Sequence, residues 1–158
     1  MENCTIRKEE FIELPIFFQY DDGGRKEAGF NGTTGDCVVR SIAIATQMPY
    51  KIIYDDITSF AKDHEHKGKR KKRISHARTG IYPRTIRRYL TEKLGFKWQP
   101  TMFIGQGCKV HLRANELPKG KLIVKTSKHM TAVINWVIHD THDCSRNGTR
   151  CVYGYYYK

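Results

Sequence analysis

A cysteine at the start of an apolar segment is the residue of this 158-residue chain best suited to covalent chemistry. Cys37 follows Asp36, a residue type that commonly caps helices, so the sequence predicts a helix from Asp36 to Ala45 with Cys37 in its first turn. Only Arg40 and Ser41 interrupt its apolar surface, which indicates burial at the centre of a domain. The unpaired N–H groups of a helix start lower the pKa of a thiol. The alternative interpretation is a small buried core residue.

A histidine and an aspartate downstream are candidate partners of this thiol. In one straight strand His129 and Asp140 would lie about 36 Å apart, at roughly 3.3 Å per residue. If Asn135 and Trp136 instead form a two-residue turn, His129 and Asp140 become diagonal neighbours on one face of a hairpin. A carboxylate at that position orients an imidazole and stabilises its positive charge. A three-residue loop would shift the register and favour Asp143 as the acid.

A side-chain amide upstream of the cysteine is a candidate oxyanion donor. Asn31 lies six residues before Cys37, in a loop of small residues. Its amide could join the Cys37 backbone N–H in stabilising negative charge on an oxygen. The alternative is a loop asparagine beside a glycine, which is a common turn former.

The elements that must position these residues follow from hydrophobic periodicity and from proline and glycine positions. We expect a second helix beginning at Pro49 and a third from Pro83 to Gly95. Strands are predicted in the following segments: Phe11 to Tyr20, Lys121 to Thr126, His129 to Asp140 and Arg150 to Tyr157. Helices followed by an antiparallel sheet predict one α+β domain over residues 1–158.

Composition and cysteine usage exclude several classes of protein. With 39% hydrophobic and 28% charged residues, the chain is neither disordered nor membrane-spanning, and no membrane partner is expected. The polar start has no signal-peptide apolar region, which predicts a cytoplasmic protein. An odd cysteine count argues against a disulfide framework. The sequence contains no C-x-x-C pair, which argues against a closed zinc site. The five cysteines are Cys4, Cys37, Cys108, Cys144 and Cys151.

The net charge of +12 is concentrated in one segment. Residues 67–88 contain ten lysines and arginines and no acidic residue, within a basic loop and helix at 64–95. Candidate contacts for phosphate or for an acidic partner are Lys69, Arg70, Lys71, Lys72, Arg73, Arg84, Arg87 and Arg88. The alternative function is therefore a non-catalytic nucleic-acid-binding module, and the plain alternative is a solvated loop.

A third class of function is a metal site. The candidate ligands are His139, Asp140, His142, Asp143 and Cys144. At a strand end, however, His-x-x-His does not place both rings on one face without a bend. A cysteine–histidine mechanism needs no metal and no other cofactor.

The order and surroundings of the candidate residues resemble the papain-like cysteine peptidase superfamily. Gly120-Lys121-Leu122-Ile123-Val124, then His129-Met130-Thr131-Ala132-Val133, then Asn135-Trp136 and Asp140 is similar to the bacteriocin-processing, double-glycine-leader peptidases. Cys37-Val38-Val39-Arg40-Ser41 partly resembles the nucleophile segment of ovarian-tumour-type deubiquitinases, although Asp36 is adjacent to the cysteine instead of three residues before it. Asn31 occupies the place of the usual glutamine. The whole chain also resembles short proteins of bacteria and their phages.

The resemblance implies a papain-like fold, with N-terminal helices and a central cysteine-bearing helix packed on a C-terminal antiparallel sheet. It implies a peptidase, isopeptidase or deamidase acting on a protein or peptide substrate. Cys37 would be the nucleophile, His129 its base and Asp140 the acid that orients the imidazole, with Asn31 in the oxyanion hole.

Overall fold

Helices cover one face of a six-stranded sheet in the computed structural model, which describes residues 15–32, 34–66 and 73–158. Along the chain the elements are β1 (Phe17–Tyr20), α1 (Cys37–Thr46), α2 (Tyr50–His64), α3 (Pro83–Arg88) with a π-helical turn (Tyr89–Lys93), β2 (Lys97–Pro100), β3 (Lys121–Thr126), β4 (His129–Ile134), β5 (Val137–Asp140) and β6 (Gly154–Tyr157). The strands are ordered β1-β5-β4-β3-β6-β2 across the sheet. The prediction of a mixed α+β architecture is confirmed.

The sheet is mixed, whereas the sequence predicted an antiparallel C-terminal sheet. β1 joins it from the N-terminal part of the chain and pairs in parallel with β5, with Tyr20 opposite Asp140. The other pairs are antiparallel. The Asp21 N–H donates to the Asp140 carbonyl at 2.8 Å, so the strand that carries Asp140 has a partner on each side. Parallel strands are joined by long crossovers, so local sequence patterns do not reveal such a pairing.

The turn between β4 and β5 has the predicted length and register. Asn135 and Trp136 are its two central residues, with φ of 48° and 66°, and Ile134 lies opposite Val137. Positive φ at both positions is the backbone of a type I′ turn, whose twist suits a tight hairpin. The Trp136 indole N–H donates to the Leu117 carbonyl at 2.8 Å, and this contact helps to hold a bulky residue in a left-handed conformation.

α1 is the central helix, as its apolar surface predicted. It begins at Cys37, with Asp36 in the N-cap position, and all residues from Val38 to Ala45 are buried. Gln47, with φ of 58°, ends the helix in a left-handed conformation. A helix buried on all sides brings any polar side chain it carries into the interior, where that side chain needs a partner.

Two proline-marked helices pack beside α1. Pro49 immediately precedes α2 instead of being its first residue, while α3 begins at Pro83 as predicted. The last turn of the third helix is π-helical and buries Tyr89 and Leu90. Gly95, with φ of 73°, follows it, which agrees with the predicted end of the helix.

Long connecting segments form a second layer on the opposite face of the sheet. They bury an apolar cluster that includes Leu112, Leu117, Ile138 and Val152. Arg150 and Val152, predicted as part of the last strand, bond through their backbones to the 110–112 segment instead, and β6 begins only at Gly154.

Glycine at position 154 is required by a close approach. The Trp98 ring occupies the space that a Cβ on Gly154 would take. The same ring packs against Tyr156, with centroids 4.5 Å apart.

The sequence argued against a disulfide framework, and the described part of the chain has one disulfide. Cys108 and Cys151 are bonded, with their Cα atoms 5.9 Å apart and a sequence separation of 43. Because the two cysteines come from separate loops of the second layer, no local spacing marked them as a pair. Among the described residues, the free cysteines are Cys37 and Cys144.

Removing this crosslink is expected to destabilise the second layer. We expect the Cys108→Ser, Cys151→Ser double variant to unfold with a free energy lower by about 2–4 kcal/mol than the oxidised protein, because the crosslink limits the entropy of the unfolded chain. Urea denaturation followed by circular dichroism measures the difference. Adding reductant to the double variant should leave its transition unchanged. Identical transitions for oxidised wild-type and double-variant protein would contradict the prediction.

In the part of the chain that the structure describes, none of the helices is both long enough and apolar enough to cross a bilayer.

Candidate active site

Three predicted residues from three separate elements meet at one end of the sheet. Cys37 is the first residue of α1, His129 is the first residue of β4, and Asp140 is the last residue of β5. His129 Nε2 lies 2.7 Å from Asp140 Oδ2. The Cys37 thiol lies beside the same ring, and both residues line one cleft. The hairpin register and the helix start therefore bring these three side chains together.

The Asp140 carboxylate is buried, with 3% of its surface exposed, yet all its partners favour the charged form. One oxygen, Oδ1, accepts hydrogen bonds from Arg40 Nη1 at 2.8 Å and from the Thr141 N–H at 2.7 Å, and the other faces His129. Burial raises the pKa of Asp140, but the hydrogen bond and charge of His129 and the smaller contributions of its other partners outweigh it and lower this pKa to about 2. Asp140 is thus a fixed negative charge behind the imidazole.

The His129 imidazole is held in its protonated form. Burial alone would lower its pKa. Hydrogen bonds with Asp140 and with the Cys144 and Cys37 thiols, together with the negative charge of Cys37, raise the pKa to about 11.

The pKa of the Cys37 thiol is lowered from its ordinary value. Burial opposes ionisation, but the hydrogen bond and charge of His129, the Met130 backbone N–H and the charge of Arg40 together outweigh burial. The opposite shifts of Cys37 and His129 favour a thiolate–imidazolium pair.

An arginine of the central helix supports the carboxylate, a role that the sequence did not predict. Arg40 bonds to Asp140 and also, through Nε, to Asp36 Oδ1 at 3.1 Å. Asp36 is completely buried and accepts a hydrogen bond from the Tyr50 hydroxyl at 2.7 Å, with Arg25 Nε at 3.7 Å. Asp36 makes no side-chain capping bond, so its predicted role as a capping side chain is wrong. A lone arginine in an apolar helix, four residues after an aspartate, is the signal that points to this network.

A cleft of about 320 Å³ opens beside the sulfur. Cys37 and His129 both line it. Asn31 does not line this cleft: its side chain is exposed, it lines a separate cleft with Tyr20 and Thr141, and its carbonyl accepts a hydrogen bond from Arg78. The structure therefore does not bring the Asn31 amide to the reacting sulfur. The first backbone N–H groups of α1, which have no carbonyl partner within the helix, are the nearer candidates for an oxyanion site.

A second thiol, from the loop after β5, also reaches the imidazole. Donor atoms of His129, Asp140 and Cys144 all lie within 4.8 Å of one another, and Cys144 is buried. Nitrogen, oxygen and sulfur donors at this separation suit zinc. The imidazole and the carboxylate, however, are already bonded to each other. The sequence predicted Cys144 only as a member of a larger metal site.

Two other members of that alternative metal site are held by other partners, and the third lies beside the imidazole. His139 Nδ1 lies 3.3 Å from Asp21 Oδ2, while His142 is exposed, with its ring centroid 5.2 Å from that of His129. The Asp143 carboxylate accepts the Ser145 N–H at 2.9 Å. Asp143, the alternative acid for the imidazole, is therefore held within its own loop.

The predicted basic contacts fall into two groups. The following four lie outside the described residues: Lys69, Arg70, Lys71 and Lys72. Arg73 donates to the Thr79 hydroxyl at 2.7 Å and to its carbonyl at 3.0 Å, so it anchors the loop that forms one wall of the Cys37 cleft.

The basic residues of α3 lie away from the sulfur. Arg84 and Arg88 line a different cleft with His64, and Arg88 pairs with Glu92 at 3.0 Å. Arg87 is exposed on the same helix.

A polarised sulfur beside a charged imidazole, with an anionic carboxylate behind it, is suited to attack on an acyl carbon. Each group comes from a different element, so the arrangement depends on the whole fold. Comparison of the chain with protein-family models, with curated proteins and with solved structures found no match.

Proposed function

We propose that this protein is a papain-like cysteine-dependent hydrolase or acyl transferase that acts on a protein or peptide substrate. Peptidase, isopeptidase and deamidase reactions share the chemistry involved. The observation that carries the proposal is the meeting of the Cys37 thiol, the His129 imidazole and the buried Asp140 carboxylate, with His129 hydrogen-bonded to Asp140 and lining the same cleft as Cys37. A cysteine-bearing central helix packed against the strands that supply histidine and aspartate supports the papain-like assignment.

The first half of the reaction forms a thioester. The Cys37 thiolate attacks the acyl carbon, and the carbonyl electron pair moves onto oxygen, where backbone N–H groups at the start of α1 stabilise it. As the tetrahedral intermediate collapses, His129 gives its proton to the leaving amine or ammonia. Asp140 keeps the imidazole in the required orientation through both steps.

The second half releases the acyl group. Neutral His129 removes a proton from water or from an acceptor amine, which attacks the thioester carbon. The carbon–sulfur bond then breaks, and the sulfur leaves as the thiolate. The product is a carboxylic acid or a new amide, and the thiolate–imidazolium pair is restored.

Acetylation by p-nitrophenyl acetate tests this proposal without knowledge of the natural substrate. We expect a burst of about one p-nitrophenolate per protein, as in acyl-enzyme formation, and an acetyl thioester on Cys37 that hydroxylamine removes. Cys37→Ala and His129→Ala should abolish the burst. His139→Ala, which removes a histidine of the same hairpin paired with Asp21, should keep it. A burst that survives Cys37→Ala, or no acetylation of Cys37, would overturn the proposal.

A further inference from the structure

The cleft beside Cys37 has an apolar floor. The following side chains from α1, the loop before α3, α3 itself and β4 line it: Val38, Ile81, Pro83, Ile86 and Met130. Gly35 and Gly80 lie in its walls, and the Gly35 N–H donates to the Arg78 carbonyl at 3.2 Å. Walls without side chains leave room for a substrate backbone, and the floor suits an apolar side chain.

Two lysines at the rim of the same cleft come from the β3–β4 hairpin, just before His129. Lys125 is near the end of β3, and Lys128, with φ of 55°, directly precedes His129. Both lysines line the cleft. The Arg150 guanidinium holds this turn by donating to the Ser127 carbonyl at 2.6 Å.

These charges have no internal counter-ion among residues 15–32, 34–66 and 73–158. In that part of the chain neither ammonium group lies within 4 Å of a carboxylate, and no aspartate or glutamate lines the cleft. Arg73, bound to Thr79, adds a third cation, with Nη2 3.6 Å from the position a Cβ on Gly80 would take. Cations around an apolar cleft create a positive electrostatic potential in it, so the cleft favours a ligand that carries a negative charge.

We propose that the cleft selects peptides with an acidic side chain within two residues of the reacting acyl carbon, and that Lys125 and Lys128 bind this side chain. The inference rests on the proposed function, because it names the substrate class of the same site. An apolar neighbouring side chain occupies the floor, while the carboxylate pairs with the rim. The two lysines are specificity-determining residues, and neither takes part in the bond changes at the sulfur.

Matched electrophilic peptides test the inference. Each probe is a tripeptidyl chloromethyl ketone, which alkylates a reactive thiol. In each probe the two positions nearest the reactive carbon hold leucine and either Glu or Gln. With wild-type protein we expect at least one Glu probe to alkylate Cys37 about tenfold or more faster than its Gln counterpart. About 0.5 M NaCl should reduce this preference, since salt screens exposed charges.

Paired variants assign the preference to the rim. In the Lys125→Gln, Lys128→Gln variant the ratio of the alkylation rates with the Glu and Gln probes should fall below about twofold. The Lys62→Gln, Lys97→Gln variant removes two exposed lysines outside the cleft and should keep the full preference.

The outcomes separate this inference from the proposed function. Equal rapid alkylation by Glu and Gln probes, or a Glu preference that survives loss of Lys125 and Lys128, would overturn the inference alone. If every probe alkylates Cys37 no faster than it alkylates free cysteine, the proposed function fails as well.

Discussion

Replacing Arg40 with methionine is expected to lower the free energy of unfolding by about 3–5 kcal/mol, because it removes a cation that bonds to two buried carboxylates. Arg40 bonds to Asp36 and to Asp140, whose side chains are 0% and 3% exposed. Methionine fills much of the same volume, so a cavity accounts for little of the loss. Urea denaturation near neutral pH measures the difference.

The pH dependence of this loss distinguishes charge from packing. In the wild type the pKa of Asp140 is lowered from 3.8 to about 2, so its ionisation stabilises the fold above pH 3.8, and that stabilisation is lost as pH falls through about 2. Without Arg40 the pKa of Asp140 rises. We therefore expect the difference between the two proteins to be largest above pH 3.8 and to narrow as pH falls toward 2.

Arg25→Met is the matched control. Arg25 also faces Asp36, at 3.7 Å, but its side chain is 17% exposed, so we expect a loss of about 1 kcal/mol or less. Two results would contradict the prediction: equal stabilities of the Arg40→Met variant and the wild type at neutral pH, or a stability difference that does not change toward pH 2. Either result would show that the buried ion pairs do not stabilise the fold.

Replacing His129 with alanine is expected to slow the alkylation of Cys37 by iodoacetamide about tenfold or more near pH 6. A thiol with a pKa near 8.5 is only about 0.3% ionised at that pH. The His129 hydrogen bond and charge lower the pKa of Cys37, so the wild type has a larger thiolate fraction. A thiolate of lower pKa is intrinsically less nucleophilic, which offsets part of the gain.

Peptide mass spectrometry after alkylation measures Cys37 separately from the other thiols. The difference between the variant and the wild type should shrink near pH 9.5, at which an ordinary thiol is also about 90% ionised. His139→Ala removes a nearby strand histidine that pairs with Asp21 and should react like the wild type. If His129→Ala and wild type react at the same rate near pH 6, the imidazole does not activate the sulfur.

The hairpin that carries the histidine and the aspartate could be predicted because its information is local. A two-residue turn fixes the register of both strands, and the register fixes which side chains share a face. Asn135 and Trp136 form that turn, and His129 and Asp140 meet as the register requires. The start of α1 at Cys37 could be predicted for the same reason, since an aspartate, a residue type common at the N-cap position, precedes an apolar run.

The supporting contacts could not be predicted, because they join segments that are distant in sequence. The parallel pairing of β1 with β5, the Arg40–Asp140 ion pair and the Cys108–Cys151 disulfide each join distant parts of the chain. Periodicity describes which side of an element is buried, and it does not identify the element that packs there. The prediction of Asn31 as an oxyanion donor rests on distance along the chain, and the loop places Asn31 at a different cleft.

The pH dependence of Cys37 alkylation in the wild-type protein tests the central claim most directly. The rate constant for iodoacetamide, followed by mass spectrometry for Cys37 and Cys144 in the same samples, reports the ionisation of each thiol. The thiolate–imidazolium pair predicts a midpoint for Cys37 below the ordinary thiol pKa of about 8.5, because the hydrogen bond and charge of His129 lower the pKa of Cys37. A midpoint at or above that value would contradict an activated nucleophile at the start of α1.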